Sequence, residues 1–306
     1  MNYFDLNLAR SMSGGGGGSD TRWQEIGYSG EPAFIQTGID YAKTVAAAYN
    51  DNKRYGGDSN LIFFPMVDTS GRESCYGMFS ECYALFYLPL LDMSSATDMD
   101  SMFGNCPSLE TVPQFDTSNV EDMQYMFSGC GALKSVPLFN TAKVKTMRNM
   151  FSGCKSLETV PQFDTSSVED MRYMFSTCGK LQSVPLFNTE NVLNMSGMFL
   201  QSMMLTSVPL FNTAKVTNMD QMFFGDAQLT TVPQFDTTAL KSMASCFSGC
   251  GALKQESLNN ILAMCANATN YTGTKTLKQI GLDDSQRLTA TTLSNYAAFT
   301  AAGWSA

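Results

Sequence analysis

The chain has 306 residues, of which 44% are hydrophobic and 15% charged, with a formal net charge of −9 and a sequence pI near 4.5. This acidic balance argues against a nucleic-acid partner, because phosphate backbones are bound by Lys and Arg. The sequence also has no stretch of about 18 apolar residues, the length that would predict a membrane-spanning helix. The sequence contains no histidine, which removes the commonest general base and the commonest metal ligand.

The first 20 residues are predicted to be an anchoring peptide followed by a linker. Met1–Arg10 has none of the basic, apolar and small-residue regions of a secretory signal peptide, although a chain from which a signal had been removed would look the same. Gly14–Gly18 has the composition of a flexible linker. The candidate anchoring side chains are Tyr3, Phe4, Leu6 and Leu8.

Residues 21–60 are predicted to form an N-terminal helical cap. Pro32 suits the first position of a helix. The apolar stripe of this helix would consist of Ile35, Ile39, Ala42, Val45 and Tyr49. Repeat arrays need such caps to close the open ends of their cores.

The dominant feature of the sequence is an internal repeat of 24 residues. Eight of the ten prolines keep this period, as do a phenylalanine and a leucine column. The prolines are Pro65, Pro89, Pro113, Pro137, Pro161, Pro185, Pro209 and Pro233. A fixed short period indicates a solenoid, in which each unit buries its apolar face against its neighbours.

One unit shows how a repeat is expected to fold. Residues 109–115 are rich in strand formers and flanked by turn residues, which predicts a strand. Ser118 and Glu121 have the spacing of a helix capping box. The apolar residues that follow at helical spacing are Val120, Met123, Phe127 and Cys130. The pattern therefore predicts a helix that ends near Gly129.

We predict an α/β fold: a right-handed leucine-rich-repeat-like solenoid, with one short parallel strand and one helix per 24-residue repeat and helical caps at both ends. Residues 61–254 would form the eight-repeat solenoid and residues 255–306 the C-terminal cap. Cap helices are expected at Ser257–Ala268 and near Thr289–Ala302. The buried face of the first would comprise Leu258, Ile261, Leu262 and Cys265. Proline cannot donate to a sheet, so the strands should be very short, with proline at an end or a kink.

A column of cysteines could be a metal or disulfide ladder. Zinc sites favour clustered cysteine pairs, however, and free cysteine packs well as a small buried hydrophobe, which is the reading we expect. The column consists of Cys82, Cys106, Cys130, Cys154, Cys178 and Cys250. Ser202 and Asp226 take its place in two repeats without disturbing the period. No metal or other cofactor is expected.

Other columns are also expected to be structural. The methionine columns, Met99 to Met243 and Met102 to Met222, share the predicted helix face and should fill the core.

A column of Asp and Asn could bind calcium, but its neutral members favour hydrogen bonds to the turn backbone, with the adjacent threonines in the same ladder. Its members are Asp68, Asp92, Asp116, Asn140, Asp164, Asn188, Asn212 and Asp236. Carboxylate neighbours such as Glu121 and Asp122 are interpreted as solvated helix starts rather than acid/base pairs.

The variable positions between the fixed leucine and phenylalanine columns form the candidate binding strip. If the strands are as predicted, these side chains line an exposed face rich in hydroxyl and amide groups, which suits glycan or protein recognition. A merely solvated surface is the alternative. The candidate residues are Glu110, Thr111, Gln114, Lys134, Ser135, Leu138, Glu158, Thr159, Gln162, Gln182, Ser183 and Leu186.

The repeat resembles the BspA-like leucine-rich repeats. The shared pattern is Phe-Asp-Thr-Ser-x-Val-x-x-Met-x-x-Met-Phe-x-x-Cys, found at 115–130 and 163–178, and the resemblance covers roughly residues 61–254. This family occurs in bacterial surface proteins, mycoplasma lipoproteins and gut-bacterium phage proteins. The resemblance implies a binding protein without shared catalytic residues. Departures are local, with Val67 and Leu91 where Phe is usual.

The two ends point to a narrower function. The stretch from Thr276 to Trp304 is similar to endings of gut-phage repeat proteins, and the whole layout looks like a phage tail or virion receptor-binding protein. We therefore predict a non-enzymatic protein of the virion or cell surface that recognises a bacterial surface glycan or protein and contacts virion proteins through its N-terminus. A cell-surface adhesin and an intracellular interaction scaffold are alternatives, and homo-oligomerisation is open. A glycan-degrading enzyme would need a convergent carboxylate pair.

Overall fold

The computed structural model describes residues 56–61 and 69–306, most of which form coils that repeat every 24 residues. Successive coils are joined by parallel β-bridges between equivalent residues. The bridged residues are Ser74, Asp98, Asp122, Thr146, Asp170, Asn194, Asn218 and Ser242. This in-register stacking makes the array a repeat solenoid, as predicted.

The helix predicted in each repeat is wrong. Every second backbone amide from Met123 to Gly129 donates to a carbonyl of the next coil at 2.7–3.2 Å. Between them, the amides of Met126 and Ser128 donate to the carbonyl three residues back, and the amide of Gln124 donates to Oδ1 of Asp122. An α-helix would instead need amide donors bonded to carbonyls four residues back. Tyr125 and Gly129 also have φ angles of 53° and 78°, which a right-handed helix does not allow. The segment is therefore a ribbon of turns, and Ser118 and Glu121 cap no helix.

The side chains of this ribbon are nevertheless buried where the sequence placed them. Val120, Met123, Phe127 and Cys130 are all 0% exposed. A ribbon of consecutive turns returns a side chain to the interior every three or four residues, which is also the period of a helix. Periodicity alone therefore identified the buried face but not the backbone that carries it.

The segment predicted as a strand is paired at few backbone positions. The amide of Lys134 donates to the carbonyl of Glu110 at 3.4 Å, and Glu158 donates to Lys134 at 3.2 Å. Among the described residues, one isolated bridge, between Ser207 and Thr231, lies in this part of the repeat. Proline interrupts the pairing, as expected, because it has no amide hydrogen to donate.

The core runs along the array as stacked phenylalanine rings. In the column from Phe79 to Phe247, successive ring centroids lie 5.4–5.8 Å apart with interplanar angles of at most 16°. The two methionine columns are at most 1% exposed, so their predicted place in the core is confirmed. Because each coil stacks its apolar side chains on both neighbours, the array has one continuous core.

Three α-helices follow the array, and they are the α-helices of the described residues: α1 at Gln255–Asn267, α2 at Asp284–Ala290 and α3 at Tyr296–Ala301. The face predicted for the first cap helix is buried in α1, at Leu258, Ile261, Leu262 and Cys265. Asp283 and Gln286 form a capping box at the start of α2, which the sequence analysis missed. The predicted N-terminal cap helix and the candidate anchoring residues lie outside the described residues.

None of the helices described above is both long enough and apolar enough to cross a membrane.

Candidate functional site

A three-residue turn after the proline places one side chain of the repeat on the outside of the array. The amide of Phe139 donates to the carbonyl of Pro137 at 3.0 Å, so Leu138 lies at the apex of this turn, and Leu210 lies at the apex of an equivalent one. These two leucines are 57% and 61% exposed. We call the equivalent positions the apex row, and it comprises Leu90, Gln114, Leu138, Gln162, Leu186, Leu210 and Gln234.

An open groove of about 570 Å³ lies beside the apex row, and we call it the apex groove. Its exposed lining comes from the apex row and from the Asp/Asn column two residues later. The lining side chains that reach solvent are Gln114, Asp116, Leu138, Asn140, Gln162 and Asp164. The groove therefore combines an apolar point with amides and carboxylates.

The Asp/Asn column bonds to the turn backbone, as predicted. Oδ1 of Asp116 and of Asp164 each accepts the amide hydrogen of the residue two positions later at 3.0 Å, and Oδ1 of Asn140 does the same at 3.3 Å. The backbone hydrogen bond from Ser118 lowers the pKa of Asp116, and the hydroxyl of Ser166 lowers the pKa of Asp164. Both carboxyl groups are consequently ionised at neutral pH.

The neighbouring threonines link the coils. Thr117 donates from Oγ1 to the carbonyl of Asn140 at 2.9 Å, and Thr141 donates to the carbonyl of Asp164 at 2.7 Å. The predicted hydrogen-bonded ladder is thus confirmed. It fixes the floor of the apex groove, because the bonded threonines are at most 1% exposed.

The structure divides the candidate binding strip. Gln114, Leu138 and Gln162 line the apex groove, and Leu186 continues the apex row. The other eight candidates lie on the surface outside this groove, and Glu110 among them is half-buried. They are Glu110, Thr111, Lys134, Ser135, Glu158, Thr159, Gln182 and Ser183.

Some strip residues bond to the neighbouring coil. Nε2 of Gln114 donates to the carbonyl of Leu138 at 2.8 Å, and Gln162 makes the equivalent bond to Leu186. Lys134 pairs with Glu110 at 2.8 Å, but the side chains are 60% and 41% exposed. Such an exposed pair contributes little to stability.

The groove residues that sequence reasoning missed are Asp116, Asn140 and Asp164, which were assigned to turn chemistry alone. They line the same groove as the apex row because the tight turn after the proline brings the apex residue and the Asp or Asn two residues later to the same side of the array. The constant spacing between the proline and the Asp/Asn column was the available signal.

A second open depression, of about 700 Å³, contains three lysines, Lys143, Lys145 and Lys215. Lys145 pairs with Glu121 at 2.6 Å, and this hydrogen bond lowers the pKa of the Glu121 carboxyl. Lys143 and Lys215 donate to asparagine side chains at 2.7 and 2.8 Å. These bonds link adjacent coils and give each lysine a partner within the protein.

The cysteine column is buried and reduced, as the packing interpretation predicted. Burial raises the pKa of the Cys82 thiol to about 12, and desolvation raises the pKa of the more deeply buried thiols of the column further. Thiols of this kind are poor nucleophiles because the thiolate is disfavoured. Among residues 56–61 and 69–306, no group of three or more His, Cys, Asp or Glu side chains could hold a metal ion.

Comparison with known families identifies the repeat. The model of a family described as "Mycoplasma protein of unknown function, DUF285" matches residues 73–184 and 179–278, which is more than half of the chain. The chain belongs to the DUF285 family. DUF285 is a BspA-like repeat family, so the resemblance inferred from the repeat motif is confirmed.

Several solved structures similar to the DUF285 chain are leucine-rich-repeat proteins. The T. pallidum leucine-rich-repeat protein TpLRR is 26% identical, with 54% of this chain and 74% of that protein covered and a TM-score of 0.43. A leucine-rich cell surface protein of Faecalibacterium prausnitzii is 20% identical, with coverages of 63% and 57% and a TM-score of 0.39.

A leucine-rich-repeat protein of Bacteroides ovatus is 21% identical to the DUF285 chain, with coverages of 63% and 63% and a TM-score of 0.29. The DUF285 chain thus spans less than two thirds of the F. prausnitzii and B. ovatus proteins. A search of curated proteins returned no match.

Proposed function

We propose that this chain is a non-enzymatic binding protein that contacts a bacterial surface macromolecule through its apex row and the adjoining apex groove. The observation that carries the proposal is the exposure of four apex-row leucines, Leu90, Leu138, Leu186 and Leu210, at 52–61%. Leucines aligned on one face of a rigid array form a ready contact surface, whereas scattered exposed leucines would need no explanation. Threonine and glutamine bonds to the next coil hold this surface in place before a ligand arrives.

The finer proposal is a phage tail or virion receptor-binding protein. It is supported by the sequence alone: an N-terminal peptide with Tyr3, Phe4, Leu6 and Leu8 as anchors, followed by a glycine linker and the solenoid. In this arrangement the anchor would contact virion proteins and the apex groove would face the host. Several copies on one particle would raise a weak affinity through avidity.

A bacterial cell-surface adhesin is the second candidate. Membership in a family described from Mycoplasma proteins favours it, because that description refers to cellular organisms. The apex groove would serve the same purpose in both cases, so the two candidates differ in the particle that displays the chain and in its target.

The test is binding of the labelled full chain to intact bacteria, to mucin and to matrix proteins, compared with a Leu138→Ser/Leu186→Ser variant. We expect the double variant to lose most of the binding, because it removes two exposed apolar contacts from the apex row. The matched control is Leu193→Ser/Leu288→Ser, which removes two leucines that are 46% and 73% exposed elsewhere.

Strain-selective binding to bacteria would support the virion protein, and binding confined to mucin or matrix would support the adhesin. Equal binding by the wild type, the apex-row variant and the control would refute recognition by the apex groove. Circular dichroism of all three proteins would verify that each is folded.

A further inference from the structure

Two arginines occupy equivalent positions in successive coils, but only one of them is paired with a carboxylate. Nε of Arg172 donates to both carboxyl oxygens of Asp170 at 3.0 and 2.9 Å, and Nη2 donates to Oδ2 at 2.6 Å. Arg148 lies 24 residues earlier, and there Thr146 takes the place of Asp170. Arg148 therefore lacks the carboxylate that its counterpart has two residues away.

The guanidinium of Arg148 is held in place without an anionic partner. Its Cζ lies 5.7 Å from the centroid of the Tyr125 ring, within the range of a cation–π contact. Its Nε is buried and has no hydrogen-bond partner among the described residues, and none of the ion pairs among them involves Arg148. In Arg172 the same nitrogen donates to a carboxylate. One arginine position thus carries its own carboxylate in one coil and none in the preceding coil.

Asn149 adds an acceptor next to this donor. Its Oδ1 is also buried and without a hydrogen-bond partner in the described part of the chain. A buried donor and a buried acceptor that stay unpaired cost free energy, which a ligand that satisfies both would recover. Arg148 and Asn149 are only half-buried as residues, so their side chains can turn these atoms toward a ligand at the surface.

The charges around Arg148 favour an anion from outside the chain. Residues 133–156, which make up one coil, contain five Lys or Arg and no Asp or Glu, although the net charge of the whole chain is −9. The carboxylates at the bridged positions on either side have partners in their own coils. Asp122 accepts from Gln124 at 2.8 and 3.1 Å, and Asp170 accepts from Arg172.

We infer that Arg148 and Asn149 bind an acidic sugar residue, one with a carboxylate beside a hydroxyl as in a uronic acid. The sugar carboxylate accepts from the guanidinium of Arg148, and a sugar hydroxyl donates to Oδ1 of Asn149. A simple carboxylate would satisfy only Arg148, and a neutral sugar only Asn149. Neither residue lines the apex groove, so this is a second site that does not depend on the proposed function.

The probe is sodium glucuronate, titrated into the full chain and followed by ligand-observed NMR. We expect a Kd on the order of 1 mM for the wild type, as for other ligands of this size. Thr146→Asp should weaken binding about tenfold or more, because it supplies Arg148 with a carboxylate from its own coil. Thr146→Asn is the matched control, since asparagine already occupies this position at Asn194 and Asn218 and brings no charge. It should leave Kd within about twofold.

Two further variants separate the carboxylate from the sugar. Arg148→Gln should weaken glucuronate binding about tenfold or more, because it removes the cation. Asn149→Gly keeps the left-handed φ of 56°, which Gly197 matches with 61° at the equivalent position. It should weaken binding of glucuronate several-fold and leave the weaker binding of acetate unchanged. Circular dichroism and thermal unfolding of every variant would verify that it is folded.

The inference is wrong if Thr146→Asp and Thr146→Asn bind glucuronate equally, or if acetate or methyl glucoside binds the wild type as tightly as glucuronate does. Tighter binding of an acetylated Gly-Glu-Gly amide than of glucuronate would also overturn it, because the site would then prefer an acidic polypeptide. The Leu138→Ser/Leu186→Ser variant should bind glucuronate normally. Failure of this inference can therefore be told apart from failure of the proposed function.

Discussion

The position occupied by the cysteine column requires a side chain that can donate a hydrogen bond, and it does not require sulfur chemistry. Five of these cysteines donate from Sγ to the carbonyl of the phenylalanine 27 residues earlier, at 3.0–3.1 Å, and Ser202 donates from Oγ at 2.6 Å. Asp226 occupies the same position, is 0% exposed, and has no hydrogen-bond partner for either carboxyl oxygen among the described residues. An ionised carboxylate has no hydrogen to donate, so only the neutral acid can replace the cysteine.

The first prediction concerns the pH dependence that Asp226 imposes. Burial raises its pKa from 3.8 to about 9, so its contribution to stability is fully present below about pH 4 and is lost as the pH rises toward about 9. We expect Asp226→Ser, which restores the donor found at Ser202, to raise the free energy of unfolding at pH 7 by on the order of 2–4 kcal/mol. The gain should grow between pH 5 and pH 9.

Urea denaturation at pH 5, 7 and 9 would measure this gain for Asp226→Ser relative to the wild type. Asp236→Asn is the control, because it removes an exposed carboxylate whose pKa is lowered by the Thr238 amide, and it should not become stabilising as the pH rises. A gain that does not change with pH would show that Asp226 is not held neutral.

At the scale of elements, pairing with a neighbour replaces local hydrogen bonding. The turn ribbon bonds every second amide to the next coil, and the last coil needs a substitute for the coil that does not follow. The C-terminal residues supply it: Ser245 and Phe247 donate to the carbonyls of Gln279 and Ile280 at 2.8 and 2.9 Å. On the other side of the last coil, Ser257 of α1 accepts from the Val232 amide at 2.9 Å and donates to the Thr230 carbonyl at 3.0 Å.

The second prediction tests this closure. Ser257→Ala should lower the free energy of unfolding by about 1–3 kcal/mol, because it leaves the buried amide of Val232 without its acceptor. Thermal and urea unfolding of the full chain would measure the loss. Gln255→Ala, at an exposed position of the same helix, should change stability by less than about 0.5 kcal/mol. Equal effects of the two substitutions would contradict a specific capping role for Ser257.

At the scale of the whole molecule, the array is a stack of nearly interchangeable coils. Residues 109–132 and 157–180 are identical at 20 of 24 positions. Each of these coils bonds to its immediate neighbours through the same backbone positions. Removing a whole number of repeats therefore leaves every remaining contact in register.

The third prediction is that deletion of residues 133–180, two complete repeats, gives a folded and shorter array. Its urea m-value should fall roughly in proportion to the surface removed, since m scales with the area exposed on unfolding. Deletion of residues 133–168, one and a half repeats, should not give a cooperative transition, because it joins the turn ribbon of one coil to the wrong part of another. Cooperative unfolding of both deletions would contradict the dependence on register.

The sequence by itself determined the period, the composition of the core columns and the hydrogen-bonding role of the Asp/Asn and Thr columns. These features depend on spacing within the chain or, as at Asp116, on a backbone amide two residues away that donates to the side chain, and both are visible in the order of the residues.

Only the tertiary structure decided the backbone conformation of residues 120–130. Alternate amides of this segment donate to carbonyls 23 residues later in the chain. In addition, Tyr125 has a left-handed φ, which the residue type does not predict. The tertiary structure likewise decided that Asp116, Leu138 and Asp164 share one groove, since they are brought together by stacking between coils rather than by proximity in the chain.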